Sequence, residues 1–307
     1  MIANRIAYGE TLVELIKENP EVVVVDADAC KSTGTIVVRD KCPERFVQCG
    51  IAEQNMMDVA AGLAYQGMIP FATTFSVFTC LRAVEQVRNQ ICYANLNVNV
   101  VGTHSGLETG ADGGTHQGIE DIAVMRALPN MTVFSPADPT ATRAITRQMA
   151  AYPGPSYMRL GKDPTPDIYE AGEEFPIGGS KLLRDGKDLT IIASGSMVYR
   201  ALEAVKELES EGIDARLIDI YSIKPIDKLA VIKAAQETKA ILTVEDHSVI
   251  GGLGGAVAEV TSEFAPVRIK RMGLNDKFGK SGLTKYLYPM YHLTTGDIVA
   301  NAKELIW

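Results

Sequence analysis

The chain has 307 residues, of which 46% are hydrophobic and 22% are charged, as is typical of a globular protein with room for two domains. Its net charge of -8 argues against a general role on nucleic acids or membrane surfaces, because both favour basic patches. No apolar run approaches the ~20 residues that span a bilayer, and residues 1–10 lack an export signal, so we expect a cytoplasmic protein.

The first half of the chain alternates between segments typical of strands and of helices. Residues 22–25 are a β-branched run that leads into an Asp-Ala-Asp loop, which predicts a buried strand. Apolar residues at helical spacing then cover residues 81–91. Two further strands are predicted at residues 97–101 and 133–134, followed by a helix from about Thr140.

A boundary and a second alternating region follow. Prolines, acids and glycines without apolar periodicity predict a linker at residues 166–180, between a first domain at 1–165 and a second at 181–307. In the second domain we predict strands at 189–193, 215–220 and 240–244, and helices at 198–211, 227–237 and 254–264. The predicted fold class is therefore α/β, with two domains that each contain a mostly parallel sheet flanked by helices.

One acidic side chain stands just before an apolar helix. Glu53 precedes a segment whose apolar residues recur at helical spacing, at Met56, Val59, Ala60, Leu63 and Ala64. By position alone, a glutamate at a helix start can simply complement the helix dipole, which stabilises by about 0.3–1 kcal/mol. The position leaves both a structural and a chemical role open.

Three further motifs follow Glu53 and change its interpretation. The segment Cys-Gly-Ile-Ala-Glu-Gln-Asn-Met-Met at 49–57 is followed by Phe-Ala-Thr-Thr-Phe-Ser-Val-Phe at 71–78, Gly-Thr-His-Ser-Gly at 102–106 and Ala-Asp-Gly-Gly-Thr-His-Gln at 111–117. In this order they resemble the C-terminal half of transketolases, and in particular their stand-alone C-terminal subunits. The similarity runs from near Arg5 essentially to the C-terminus. It implies a thiamine diphosphate pyrimidine-binding domain followed by a transketolase C-terminal domain.

The resemblance implies thiamine diphosphate as the cofactor. Glu53 would then be catalytic. A carboxyl group that is hydrogen-bonded to N1′ of the aminopyrimidine favours the imino tautomer, and the imino nitrogen can then take the proton from thiazolium C2. Leu81 stands where the family has a third pocket aromatic, so this pocket is expected to be less aromatic. The cofactor-binding residues implied are Phe75, Phe78, Asp28 and Gln54.

The resemblance also assigns residues to a ketose substrate. Asp112 and His116 would contact its hydroxyl groups, and His104 its distal anionic end. Glycines around these residues let the backbone approach a ligand closely, which favours a polar sugar site over solvated loop histidines.

The resemblance further implies residues that contact the distal phosphate of the substrate. Arg5 would donate as a salt-bridge partner and Ser32 through its hydroxyl group. The remaining cation is Arg159 or Lys162, depending on the alignment. If it is Lys162, an ammonium group replaces a guanidinium that could bind phosphate through two parallel hydrogen bonds. An anionic end group other than phosphate then becomes possible.

The chain lacks the diphosphate half of a complete enzyme. The family holds Mg²⁺ with a Gly-Asp-Gly motif and a downstream Asn, and the only Gly-Asp in this chain is Gly296-Asp297. The five cysteines form no Cys-x-x-Cys pair, which argues against a zinc cluster. We therefore expect no metal ligands here. We expect a partner N-terminal subunit that carries the diphosphate and Mg²⁺ domain, a heterotetramer with two copies of each subunit, and no activity of this chain alone.

The leading hypothesis is the C-terminal subunit of a two-component transketolase of pentose phosphate metabolism, which transfers a two-carbon ketol unit from a ketose phosphate to an aldose phosphate. The rival enzyme is the beta subunit of a 2-oxo acid dehydrogenase. A 1-deoxyxylulose-5-phosphate synthase normally carries its diphosphate domain on the same chain. A non-catalytic scaffold of the same fold is the third alternative, against which the presence of Glu53 argues.

The second domain offers one group that resembles a triad fragment. Glu245, Asp246 and His247 follow a predicted strand, but no serine or cysteine elbow accompanies them. We interpret them as structural, and nothing else in this domain demands a catalytic role.

Overall fold

The computed structural model describes residues 1–306. In residues 1–165 the strands are β1 (Ile2–Ala3), β2 (Val22–Asp26), β3 (Phe46–Gln48), β4 (Ile69–Phe75), β5 (Asn99–Thr103), β6 (Thr132–Phe134), β7 (Ser156–Arg159) and β8 (Pro164–Thr165). The α-helices are α1 (Asn4–Glu18), α2 (Cys30–Thr33), α3 (Ile36–Lys41), α4 (Glu53–Tyr65), α5 (Val84–Gln86), α6 (Asp121–Ala127) and α7 (Pro139–Ala151). Short 3-10 helices lie at Pro43–Arg45 and Gly106–Asp112, and π-helical segments at Phe78–Arg82 and Val87–Cys92.

The second half continues the alternation. Its strands are β9 (Lys181–Arg184), β10 (Leu189–Ala193), β11 (Ala215–Asp219), β12 (Ser222–Lys224), β13 (Ala240–Ser248) and β14 (Arg268–Leu274). Its helices are α8 (Met197–Ser210), α9 (Lys228–Glu237), α10 (Leu253–Phe264), α11 (Thr284–Met290) and α12 (Thr295–Ile306). None of the helices within residues 1–306 is both long and apolar enough to cross a membrane.

Two larger sheets organise these elements and confirm the predicted α/β fold class. The first has the order β12-β6-β7-β5-β4-β2-β3, in which only β12 pairs antiparallel. The second has the order β14-β13-β10-β11-β9, in which only β9 pairs antiparallel. Since β12 comes from the second half of the chain but extends the first sheet, the two halves share backbone hydrogen bonds. The assignment of 1–165, 166–180 and 181–307 as first domain, linker and second domain stays a prediction.

Burial and capping explain why the central strands and helices form where they do. All five residues of β2 are buried, as expected for a parallel strand with helices on both faces. The helix α7 begins with a proline, and the Asp138 carboxylate caps it by accepting the backbone N–H of Ala141 at 2.8 Å. The Asp227 carboxylate caps α9 in the same way, from the N–H of Ala230 at 3.0 Å.

The segment 166–180 contains no helix or strand but does not run free in solvent. The Tyr169 and Phe175 rings are buried and meet edge to face, with their centroids 4.9 Å apart. The Tyr169 hydroxyl donates to the Asp219 carboxylate at the end of β11, at 2.6 Å. The Tyr169 side chain thus fastens this segment to the second sheet, a contact that the segment's lack of periodicity did not indicate.

Candidate active site

The residues predicted for the site converge at the carboxyl ends of the central strands of the first sheet. The neighbouring strands β7, β5, β4 and β2 are parallel, so their carboxyl ends lie side by side. Phe75 ends β4, His104 follows β5, and Lys162 comes three residues after β7. In open parallel sheets, the crevice outside these strand ends is where ligands bind. The strand order therefore brings together residues that are far apart in the sequence.

Glu53 is the first residue of α4, where the sequence predicted it. Its side chain is only 4% exposed, and its Oε1 accepts a hydrogen bond from Nη1 of Arg82 at 2.7 Å. The N-terminal position also favours a negative charge, because the unpaired backbone N–H groups of the first helical turn point toward it. Glu53 is thus a buried acid held at a helix start, facing a cation.

Four aromatic and imidazole rings form one cluster beside the strand ends. The Phe75 and Phe78 rings are nearly parallel, with their centroids 6.0 Å apart. His104 stacks on Phe75 at 4.2 Å, and His116 meets the Phe78 ring edge-on at 5.4 Å. The structure therefore brings the predicted cofactor aromatics and the predicted substrate histidines into contact.

His104 is a buried imidazole in a left-handed backbone conformation, with φ 54°. Its Nδ1 lies 3.0 Å from Oγ1 of Thr103, which leaves Nε2 for a ligand. Burial lowers the pKa of His104 to about 4, and the positive charges of Arg5 and Lys162 act in the same direction, against the charge of Asp112. At neutral pH His104 is therefore a neutral hydrogen-bonding group.

Arg5, Ser32 and Lys162 meet on the side of the cluster next to His104. The Arg5 guanidinium donates to the backbone carbonyl of Ser32 at 2.9 Å and to that of Lys162 at 3.3 Å. Burial lowers the pKa of Arg5 from its usual value, while Asp163 opposes this shift. The Lys162 ammonium donates to the carbonyl of Thr109 at 3.3 Å. Arg5 and Lys162 thus place two cations near Ser32 and His104, and we call these four residues the polar patch.

The two candidates for the remaining cation have different surroundings in the structure. Arg159 is 5% exposed and forms an ion pair with Asp121 at 2.9 Å. It also donates to the carbonyls of Gly118 and Asp246, at 3.3 and 3.0 Å. Burial acts to lower the pKa of Arg159, but Asp121 raises it overall above its usual value. The Nε and Nη2 groups of Arg159 therefore bond to the protein interior, and its role as a substrate ligand stays a prediction.

Three predicted residues lie at the exposed rim of the site. Asp28 has a left-handed backbone (φ 62°), and its N–H donates to the Gln48 side chain at 2.9 Å. Gln54 is exposed on the first turn of α4, and Asp112 is exposed at the end of the 3-10 helix Gly106–Asp112. Their roles stay predictions.

The second domain holds the loop that carries Asp112 and His116. The Asp246 carboxylate accepts the backbone N–H of Leu107 at 3.0 Å, and the Gln117 side chain donates to the Lys280 carbonyl at 3.1 Å. The contact with Leu107 gives Asp246 a definite structural task. No sequence pattern indicated which segment it holds.

Sequence reasoning missed Arg82, the partner of Glu53. A cation four residues after Phe78 was the available signal, because residues four apart share one side of a helical turn.

Within residues 1–306 no three histidine, cysteine, aspartate or glutamate side chains are grouped so that they could hold a metal ion.

Comparisons with known proteins match both halves of the chain. The model of the transketolase pyrimidine-binding domain matches residues 1–166, and that of the transketolase C-terminal domain matches residues 178–298. A solved split-gene transketolase, described as an inactive beta4 tetramer, is 50% identical with a TM-score of 0.93, over 100% of this chain and 99% of that chain.

Two curated relatives are similar over nearly their whole length. The 6-deoxy-6-sulfo-D-fructose transketolase subunit SqwH of Clostridium sp. (strain MSTE9) is 41% identical over 98% of this chain and 94% of its own. A subunit of the apulose-4-phosphate transketolase of Phocaeicola vulgatus is 40% identical over 100% of this chain and 98% of its own. Both family models and both relatives point the same way: the chain belongs to the transketolase family and carries its pyrimidine-binding and C-terminal domains.

Proposed function

We propose that this chain is the C-terminal subunit of a two-component transketolase, which transfers a two-carbon ketol unit from a ketose to an aldose acceptor. The observation that carries this proposal is the buried carboxylate of Glu53, held at the start of α4 within reach of the Phe78 ring. The Arg82 guanidinium touches both, at 2.7 Å from Glu53 Oε1 and 4.1 Å from the Phe78 ring centroid. A flat, nitrogen-bearing ring could therefore contact both groups at once.

The donor set fits the aminopyrimidine of thiamine diphosphate. Glu53 would bind the pyrimidine N1′ nitrogen, and Phe78, with Phe75 behind it, would offer a flat apolar surface to the ring. When bound, the cofactor supplies a nucleophilic carbon at thiazolium C2 and accepts electrons from the breaking carbon–carbon bond. Glu53 would share a proton with N1′ of the pyrimidine, from a position where its side chain is buried.

The polar patch next to the aromatic cluster supports an anionic sugar as the substrate. Arg5 and Lys162 would attract the distal anion, and neutral His104 would donate or accept a hydrogen bond through Nε2. Asp112 and His116 would contact hydroxyl groups nearer the reacting carbon. The names of the two relatives include a sulfo sugar and a sugar phosphate, so we leave the anionic group open between sulfonate and phosphate.

The diphosphate and its Mg²⁺ would be held by a partner N-terminal subunit. The sequence contains no Gly-Asp-Gly motif, and both curated relatives are named as subunits. The similar split-gene chain described as an inactive beta4 tetramer supports the view that such a chain needs its partner to act. The heterotetramer and the cytoplasmic location stay predictions.

The test is reconstitution. This chain is purified with and without the candidate N-terminal subunit, supplied with thiamine diphosphate and Mg²⁺, and assayed for ketol transfer from xylulose 5-phosphate to ribose 5-phosphate. We expect activity only in the mixture and its loss in Glu53→Gln. The matched control is Glu44→Gln, at an exposed glutamate of the 3-10 helix Pro43–Arg45, which should leave the rate unchanged.

The outcomes separate the alternatives. Cofactor binding without ketol transfer would contradict the substrate assignment and favour 2-oxo acid chemistry. Absence of cofactor binding by the mixture would contradict the enzyme proposal and favour a scaffold of the same fold.

A further inference from the structure

Arg82 occupies the position between the two groups that the proposed function assigns to the cofactor. Its Nη1 lies 2.7 Å from Glu53 Oε1, and its guanidinium carbon lies 4.1 Å from the centroid of the Phe78 ring. Within residues 1–306 its only ion pair is the one with Glu53. One planar cation therefore satisfies a buried acid and covers an aromatic face at the same time.

The local backbone accounts for this placement. Residues Phe78–Arg82 form a π-helical turn, in which the N–H of Ala83 bonds to the carbonyl of Phe78 at 3.1 Å, five residues back. Such turns are rare and occur often at functional sites, because the extra residue redirects the side chains that follow. Here the turn places the Arg82 side chain over the Phe78 ring and within reach of the start of α4.

A guanidinium resembles an aminopyrimidine in the features that these two groups recognise. Both are flat and delocalised. The guanidinium presents N–H groups in its plane, and the aminopyrimidine presents one at N1′ once the carboxyl group of Glu53 has given it a proton. A carboxylate accepts those hydrogens, and an aromatic face accepts the flat surface, most strongly from a cation. The same side-chain pair that would bind the cofactor ring therefore binds Arg82.

We propose that Arg82 is an internal competitor for the aminopyrimidine site, and that its guanidinium must leave Glu53 and Phe78 before the cofactor ring can bind there. This inference rests on the proposed function, since it takes the Glu53–Phe78 pair as the cofactor's binding place. Arg82 has a route out: its side chain is 46% exposed, so it can turn into solvent without disturbing the core. Arg82 thus sets the cofactor affinity of the assembled enzyme and keeps Glu53 paired until the ring replaces it.

The test measures thiamine diphosphate binding by calorimetry, with Mg²⁺ present, on the complex of this chain with its N-terminal partner. We expect Arg82→Ala to bind the cofactor about 3- to 30-fold more tightly than the unchanged chain, because it no longer loses an ion pair and a cation–π contact on binding. Arg82→Gln should shift in the same direction by a smaller factor, because its amide still donates to Glu53. Arg88→Ala, at an exposed arginine on the following π-helical segment, is the matched control and should bind unchanged.

A second readout needs no cofactor. In the full chain alone, the Nε–Hε resonance of Arg82 should move in Glu53→Gln, and that of Arg88 should stay in place. Titrating thiamine diphosphate into the complex should move the Arg82 resonance toward its position in the Glu53→Gln variant.

The results distinguish this inference from the function on which it rests. Equal or weaker cofactor binding by Arg82→Ala, with the unchanged chain binding normally, would overturn the competition and leave the proposed function standing. An Arg82 resonance whose position changes neither in Glu53→Gln nor on addition of the cofactor would also overturn the competition. If no variant binds thiamine diphosphate, the proposed function falls and the competition falls with it.

Discussion

Asp246, in the second domain, accepts the backbone N–H of Leu107 through both carboxylate oxygens, each at 3.0 Å. Leu107 belongs to the 3-10 helix Gly106–Asp112, which leads to the predicted substrate residues. The Tyr288 hydroxyl donates to the same carboxylate at 3.1 Å. The second domain thus fixes the position of the loop that leads to the predicted substrate residues.

This contact predicts that Asp246 contributes both to the stability of the fold and to substrate binding. Asp246→Ala leaves the buried Leu107 N–H without its acceptor, so we expect the free energy of unfolding to fall by about 1–3 kcal/mol. Asp246→Asn keeps one acceptor and should cost less. In both variants the loop loosens, so the KM for the ketose should rise. Denaturant unfolding and steady-state kinetics measure the two effects. Asp40→Asn, at an exposed aspartate, should change neither, and an unchanged KM in Asp246→Ala would contradict the loop role.

Truncation of Lys162 should mainly weaken substrate binding, whereas truncation of Arg159 should mainly destabilise the fold. Lys162→Ala removes a half-buried cation near His104, so we expect the KM for a ketose phosphate to rise about tenfold or more, with a stability loss of no more than about 1 kcal/mol. Arg159→Ala leaves the buried Asp121 charge unpaired and should cost about 3–5 kcal/mol of stability. Chemical denaturation and KM measurements on both variants check this. The assignment would be wrong if Arg159→Ala folded normally and only its KM changed.

His104 should contribute to acid sensitivity. Its pKa in the folded protein is about 4, below the value near 6.5 of an unfolded histidine. Between these pH values His104 binds a proton in the unfolded chain but not in the folded chain. Folding stability is therefore lost as the pH falls from about 6.5 to about 4. Above pH 6.5 this residue makes no contribution to the pH dependence.

The pH dependence of His104→Gln measures that contribution. Urea unfolding at several pH values should give a shallower loss of stability below pH 6.5 for the variant than for the unchanged chain. The His104 ring resonances in the folded protein should stay constant between pH 5.5 and 8. A titration of those resonances near pH 6.5 would contradict the buried, neutral state.

Gly114 should tolerate no side chain. A Cβ at this position would lie 2.7 Å from the carbonyl oxygen of Gly279, which is backbone and cannot move aside without shifting its segment. We expect Gly114→Ala to raise the KM for the ketose and to cost about 1–3 kcal/mol of stability. Gly62→Ala, inside α4, is the matched control: outside its own helix a Cβ there meets no heavy atom within 4 Å, so it should stabilise by about 0.5–1 kcal/mol. Equal kinetics for the two variants would show that the loop does not depend on this contact.

The sequence by itself determined the elements whose signals are local. The β-branched run at 22–25 became β2, the predicted strand at 189–193 became β10, and Glu53 lies at the first residue of α4. These features follow from side-chain periodicity and helix-start chemistry, which depend on neighbours within a few residues. The order of the four motifs was likewise enough to indicate the family, because each motif is a short local pattern.

Only the tertiary structure decided which residues meet. The ion pair of Arg159 with Asp121 depended on the packing of α6 against β7. The pairing of Glu53 with Arg82 depended on the approach of α4 to a π-helical turn, and the Leu107 contact on the docking of the second domain. These partners lie 38, 29 and 139 residues apart in the chain. No periodicity spans such separations, since strand order and domain packing set the distances, and these are properties of the whole folded chain.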